Sequence, residues 1–242
     1  LFRSNEVITP LHAATQNVIG IGLAMPGVVD GNGLVKRSTL LGWRNVDVRT
    51  LIERRFSLPV TVNNDATAAM FTERLFGKGG PNMMFVRLRR GVGGAVLLGD
   101  VPVFGENHAG GEIGHISLDP QGPPCACGKR GCLERLVSAT SLHARLQRSD
   151  ERMRASILRE AGTYLGTALS MPVGLLDLAD VCVYGQSDIV NDTLLSAAQA
   201  QLDLLTGSSF HTRTIIRQCE CEGEITLRGE ALSVLHDYLE NR

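Results

Sequence analysis

Net charge is almost absent from this chain: 24 Lys and Arg stand against 25 Asp and Glu over 242 residues, a balance of −1. No field is therefore on offer to gather nucleic-acid phosphates. Long apolar runs are also missing. No stretch approaches the roughly eighteen residues of a membrane-spanning helix. The opening "LFRSNEVITP" lacks the apolar core of a secretory signal. Six cysteines do not suggest a disulfide scaffold at this length, and a thiolate metal site suits a reducing cytoplasm. There is no internal repeat and no low-complexity tract. What remains is ordinary for a globular protein: 43% hydrophobic and 20% charged residues, enough for one large domain or two modest ones.

The most specific local pattern is "GEIGHISLDPQGPPCACGKRGCLE", which places His115, Cys125, Cys127 and Cys132 within eighteen positions. Three thiols and one imidazole make the Cys₃His set of a closed structural zinc site. Gly128 and Gly131 supply the permissive backbone that a tight metal knuckle needs. The C-x-C spacing is tighter than the usual C-x₂₋₄-C. The competing reading is three free thiols beside an unrelated histidine.

Strand and helix patterns alternate. Val18–Ala24 reads as a buried strand running into the Pro26-Gly27 turn, and "VVDGNGLVKRS" reads as a hairpin. Helical spacing covers Val46–Phe56. A short strand spans Pro59–Asn63, and a helix spans Ala66–Phe76 with Gly77 as its cap. Gly77-Lys78-Gly79-Gly80-Pro81 is the best linker candidate. Beyond it, "MMFVRL" and "GGAVLLG" are strands, and helices are expected over Ser138–Gln147, Asp150–Leu178 and Asn191–Leu205. "DVCVYG" and "RTIIRQCE" are further strands, with a terminal helix in "LRGEALSVLHDYLE". The fold class is α/β. The expected division is a small N-terminal α/β domain over 1–80 and a larger zinc-containing α/β domain over 81–227. The terminal helix over 228–242 is expected to pack back on the first.

Position alone leaves two roles for Asp65, which sits with Asn64 where a strand meets a helix. It can cap the helix, or it can face a ligand at the carboxyl end of the strand and take a proton from a hydroxyl. Glu112 lies three residues before His115, and Glu134 two residues after Cys132. Both are either solvated loop charges or, if a metal folds the loop, acceptors for a polyhydroxylated ligand. Cys219 and Cys221 read as buried thiols alternating along a strand, and Cys182 as core. His12, His108, His143, His211 and His236 form no partner pattern.

On "GIGLAMPGVVD", "LLGW", "LPVTVNNDATAA", the zinc-loop string and "LRGEALSVL", in that order, the chain resembles the ROK family of repressors and sugar kinases. The resemblance implies a two-domain actin-like fold with a sugar in the interdomain cleft. It implies zinc ligands at His115, Cys125, Cys127 and Cys132. It implies sugar contacts at Asn64, Asp65, Glu112, His115 and Glu134, with Gly27 and Thr39 beside them. In the kinases of the family the residue matching Asp65 is the catalytic base.

Two family features are missing. Kinases carry an N-terminal D-x-G-G-T hairpin for ATP phosphates, and only seventeen residues precede Val18 here. The first domain is therefore expected to be truncated. The second phosphate turn, G-T-G in the family, is Arg89-Arg90-Gly91, where side chains fill space that a phosphate needs. These departures imply the regulator branch. The expected function is a sugar-sensing effector domain that binds a sugar or sugar phosphate and acts on DNA only through a helix-turn-helix outside this chain. It is expected to be a cytoplasmic homodimer or tetramer, holding structural zinc and no ATP, with no membrane association. The alternative is an ATP-dependent sugar kinase of glucokinase or N-acylmannosamine kinase type, with Asp65 as base.

Overall fold

The computed structural model describes residues 18–210 and 212–240; His12 and His211 lie outside them. The first half of the chain runs β1 (Ile21–Met25), β2 (Val28–Val29), β3 (Leu34–Ser38), β4 (Trp43–Asp47), α1 (Val48–Phe56), β5 (Val60–Asn64) and α2 (Asp65–Phe76). Next come β6 (Met83–Leu88), β7 (Val92–Leu98), β8 (Val101–Pro102) and a single 3₁₀ turn, Ile113–His115. Then follow α3 (Leu133–Val137), α4 (Ala139–Leu146), α5 (Glu151–Leu176), β9 (Asp180–Gly185), α6 (Asp192–Thr206), β10 (Ile215–Gln218) and α7 (Ile225–Glu240).

Three sheets form. β1 and β5 pair in parallel, and β2-β3-β4 make an antiparallel meander. The main sheet has the order β10-β9-β6-β7-β8, parallel through β6 and antiparallel beyond it. "MMFVRL" is nearly continuous in apolar residues because both faces of β6 are covered. Met84, Val86 and Leu88 join a core with α3, α4, α5 and α6. Met83 and Phe85 point the other way, against Ala66, Ala69 and Met70 of α2 and Ile225 of α7. A smaller core under the meander gathers Val35, Val48, Val60 and Val62.

Side-chain caps set several helix starts. Asp47, Ser138, Asp150 and Asn191 each accept a backbone N–H from the first turn of the helix that follows. Asp47 also explains why the helical spacing over Val46–Phe56 begins too early. Val46 pairs with Val35 in the β3–β4 ladder, and the helix starts only after the cap. α5 and α6 approach closely at two glycines. A Cβ on Gly162 would sit 2.3 Å from the Leu194 carbonyl oxygen, and one on Gly166 2.4 Å from that of Ala198.

α7 packs against α2, β1 and β5 together. Contact with α2 is at backbone distance: a Cβ on Gly229 would lie 1.7 Å from the Ala68 carbonyl oxygen. One residue on, Glu230 is 2% exposed beneath β1 and β5. Asn63 donates to its Oε2 at 3.3 Å, and its Oε1 is buried without a partner. Burial, against the help of Asn63, pushes its carboxyl up to about 7 from 4.5. A folded-state value above the unfolded one means the native state binds the proton more tightly. Stability is then greatest below 4.5 and declines as pH rises toward 7. Glu230→Gln is expected to remove that decline, gaining on the order of 2–3 kcal/mol near pH 8 and nothing near pH 4. Urea midpoints at the two pH values measure it; equal gains at both would point to a cause other than proton uptake.

Candidate sugar cleft and cysteine knuckle

The strand β5 ends in Asn64, and its side chain rather than that of Asp65 caps α2. Asn64 Oδ1 accepts from Ala66 N at 2.8 Å and Thr67 N at 3.3 Å. Its Nδ2 donates to the Gly27 carbonyl at 2.9 Å, which ties the helix start to the Pro26-Gly27 turn. Gly27 has φ +102°, and a Cβ there would meet the Arg37 carbonyl oxygen at 2.3 Å. Only glycine allows that turn to rest on β3. Thr39 is exposed in the turn after β3.

Capping by Asn64 releases the Asp65 carboxylate. Its Oδ2 accepts from Arg87 Nη1 at 2.7 Å, and both side chains are about one-fifth exposed. Burial raises the Asp65 carboxyl above its ordinary value, and Arg87 opposes that rise without cancelling it. Glu112, just before the 3₁₀ turn, is also raised by burial. The His115 ring pulls it down, and the Asp65 and Glu134 carboxylates push it up. Three carboxyl groups from separate segments therefore share one neighbourhood. Glu134, in the first turn of α3, accepts the Val92 backbone N–H at 3.2 Å. Its Oε2 lies against the turn after β6, where a Cβ on Gly91 would be 2.3 Å away.

The His115 ring has one nitrogen on each side of the site. Nδ1 is 3.6 Å from Cys125 Sγ, and Nε2 is 3.9 Å from Glu112 Oε2. Cys127 Sγ and Cys132 Sγ are 3.6 Å apart. All four ligand atoms lie within 4.8 Å of one another. Bonds of about 2.0–2.3 Å in a tetrahedron put ligands roughly 3.5–3.8 Å apart, so the set fits a zinc-sized ion. Backbone geometry builds the knuckle: Cys125 N donates to Lys129 O, Gly128 N to Cys125 O, and Leu118 N to Gly131 O. Gly128 and Gly131 both take positive φ, as the spacing requires. Burial and the neighbouring Cys127 and Cys125 sulfurs push the Cys132 thiol up to about 12. A cation relieves that repulsion by replacing the proton. With Nδ1 on the ion, Nε2 carries the proton and faces Glu112. The 3.9 Å gap is too long for a direct hydrogen bond.

A second group, Glu73, Cys182 and Cys219, has metal-like spacing alone. Its carboxylate is already saturated by Arg217 Nη1, Cys219 Sγ and the backbone N–H groups of Lys78, Glu220 and Cys221. We read it as a structural hub. Cys219 and Cys221 lie beyond the end of β10, held by that carboxylate, and not in an alternating strand.

Sequence reasoning missed Arg87. The available signal was a lone cation in the apolar string "MMFVRL", on the face that β6 turns toward α2. Arg89 rests its guanidinium 5.9 Å from the centre of the Tyr184 ring. Two cavities, of about 530 and 310 Å³, lie near α6 and the segments around β10; the residues that line them include none of the candidate ligands.

The ROK family model matches residues 5–169. The chain is 32% identical over 151 residues to the xylose repressor of Bacillus spizizenii, covering 62% of this chain and 39% of that protein. It is 39% identical over 135 residues to a glucokinase of Halalkalibacterium halodurans, covering 54% of this chain and 41% of that one. The matches thus span about two-fifths of the length of these curated relatives. The crystal structure of a ROK family transcriptional regulator, a homologue of the E. coli MLC protein, superposes with TM-score 0.83 at 23% identity. It covers 97% of this chain and 67% of that one. At that identity the superposition shows the fold alone, an actin-like α/β architecture.

Proposed function

This chain belongs to the ROK family, and on that premise we propose that it is the sugar-sensing effector domain of a transcriptional regulator. The observation that carries the sugar reading is the convergence of the Asp65 and Glu134 carboxylates on Glu112, whose Oε2 lies 3.9 Å from His115 Nε2. Polyol hydroxyls donate, and a fixed array of carboxylates accepts. Asn64, Asp65, Glu112, His115 and Glu134 would contact the ligand, with Gly27 shaping the backbone and Thr39 at the rim. Zinc held by His115, Cys125, Cys127 and Cys132 would fix the loop that carries Glu112 and leads into Glu134.

Two observations favour sensing over phosphoryl transfer. The turn after β6 is Arg89-Arg90-Gly91, and Arg89 is engaged with Tyr184. Phosphoryl transfer depends on a cradle that positions the phosphates, which this turn does not offer. A ligand that binds one arrangement of the cleft better than another shifts the balance between them by the difference in affinity. An attached DNA-binding module would read that shift, and a homodimer or tetramer would present paired modules to paired half-sites. The setting is the cytoplasm. Among the described residues no helix is long and apolar enough to cross a membrane. The second reading, an ATP-dependent sugar kinase, is favoured by the 39% identity to a glucokinase.

Calorimetry with a panel of free and phosphorylated hexoses and pentoses, beside a coupled assay with ATP, separates the two. Sensing gives saturable binding and no turnover. Asp65→Asn is expected to weaken binding about tenfold to a hundredfold, the worth of a hydrogen bond to a charged group. Robust turnover that vanishes in Asp65→Asn would establish the kinase instead.

A further inference from the structure

We propose that Arg87 is a positioning residue of this cleft: it holds the Asp65 carboxylate charged and aimed, so that Asp65 accepts a ligand hydroxyl's proton in a hydrogen bond without removing it. The inference rests on the sugar-cleft reading for its ligand, but not for its geometry.

Arg87 stands on β6 between Gly93 of β7 and Tyr184 of β9. Gly93 has no side chain, and even a Cβ there would lie 3.4 Å from that of Ala66 in the first turn of α2. The guanidinium reaches across this gap to Asp65 Oδ2 at 2.7 Å. Two further carboxylates share its neighbourhood. Glu112 stands before the 3₁₀ turn and Glu134 in α3, with the His115 ring beyond Glu112. Arg87 is the one cation that bonds Asp65 among the described residues. A buried carboxyl beside two others takes up a proton unless a cation prevents it. The protonated form donates at one oxygen, whereas the ionised form accepts at both. Arg87 therefore decides which hydrogen-bonding partner a ligand meets. Its own Nε is buried without an acceptor. A ligand that fits presents hydroxyls to the ionised carboxylates. The pairing that sharpens binding also opposes proton abstraction, because an ion-paired carboxylate is a weaker base.

The test uses the full, metal-replete chain as wild type, Arg87→Met and Arg87→Lys. Carbon-13 NMR of labelled aspartate follows the Asp65 carboxyl, and calorimetry follows hexose affinity from about pH 5.5 to 8. In Arg87→Met the Asp65 midpoint is expected about one pH unit or more above wild type, with Arg87→Lys restoring most of the difference. Hexose affinity in Arg87→Met is expected to fall about tenfold near pH 5.5 and to recover toward pH 8, while wild type changes less than about threefold. A folded Arg87→Met protein with an unchanged Asp65 midpoint, or with the wild-type pH profile of affinity, overturns the proposal. Wild type that binds no hexose defeats the sugar reading, and the carboxyl titration still decides the role of Arg87.

Discussion

Glu73→Gln is expected to cost about 3 kcal/mol of stability. The Glu73 side chain is fully buried, and Arg217 beside it is 18% exposed. Arg217 Nη1 donates to Oε1 at 2.6 Å, and Lys78 N donates to the same oxygen. Cys219 Sγ, Glu220 N and Cys221 N all converge on Oε2. Breaking a buried pair by removing one partner costs about 3–5 kcal/mol. The low end applies because Arg217 keeps Asp180, bound through two nitrogens at 2.8 and 2.9 Å. Glutamine has the right size but turns an NH₂ toward N–H donors, so part of the array goes unpaired.

The same residue makes a pH signature. Burial pushes the Glu73 carboxyl up, but its hydrogen bonds from Arg217, Cys219, Cys221 and Lys78 outweigh burial and hold it below 4.5. A depressed native value contributes stability that is present above 4.5 and is lost as pH falls through the folded value. Glu73→Gln should therefore be less stable than wild type at neutral pH, with the gap narrowing in acid. Urea unfolding with an unchanged slope and a lowered midpoint is the readout. An unchanged midpoint at neutral pH would mean the network contributes no net stability.

Removal of the ion proposed for the knuckle is expected to lower the melting midpoint by about 10 °C and to weaken the proposed sugar binding at least about tenfold. The knuckle is fastened through backbone bonds such as Leu133 N to Ile116 O and Gly131 N to Pro123 O. Those bonds place the chain between His115 and Glu134, two of the groups that converge on the cleft. Without a cation the three thiols cannot all ionise: against burial, neighbouring hydrogen bonds hold Cys127 below its ordinary value, while burial and the adjacent sulfurs push Cys132 up to about 12. Because an ion displaces thiol protons, its affinity should fall in acid. Scanning calorimetry and sugar titration before and after chelation, with Cys132→Ser as the genetic equivalent, measure both effects. Equal sugar affinity in metal-free and metal-replete protein would separate the knuckle from the cleft.

The groups legible in the sequence were those specified locally. His115, Cys125, Cys127 and Cys132 lie on one short loop, so ligand type and spacing marked the knuckle, whereas position alone left Asp65 between a cap and a ligand contact. The main-sheet strands were legible because burial on both faces leaves unbroken apolar strings. β4 was missed because its residues Trp43–Asp47 run directly into a helix and are mostly exposed or half-buried, so apolar pattern marks no boundary. The cap weighed for Asp65 falls instead to Asn64, whose side-chain oxygen reaches two N–H groups while its amide holds Gly27. Contacts between distant positions left no periodic trace. Asp65 and Arg87 are 22 residues apart, and Glu73 and Arg217 are 144 apart. Both pairs depend on how β6 and β10 lie beside α2, which only the assembled sheet determines.

The fit of Gly229 onto the Ala68 backbone has a mechanical consequence. α7 is wedged between the helix that begins at Asp65 and the strand pair β1–β5, and at Gly229 no side chain cushions the contact. A ligand that displaced that strand pair would be expected to tilt α7 with it. A fluorophore on the exposed face of α7, near Leu239, would then report occupancy of a cleft it never touches.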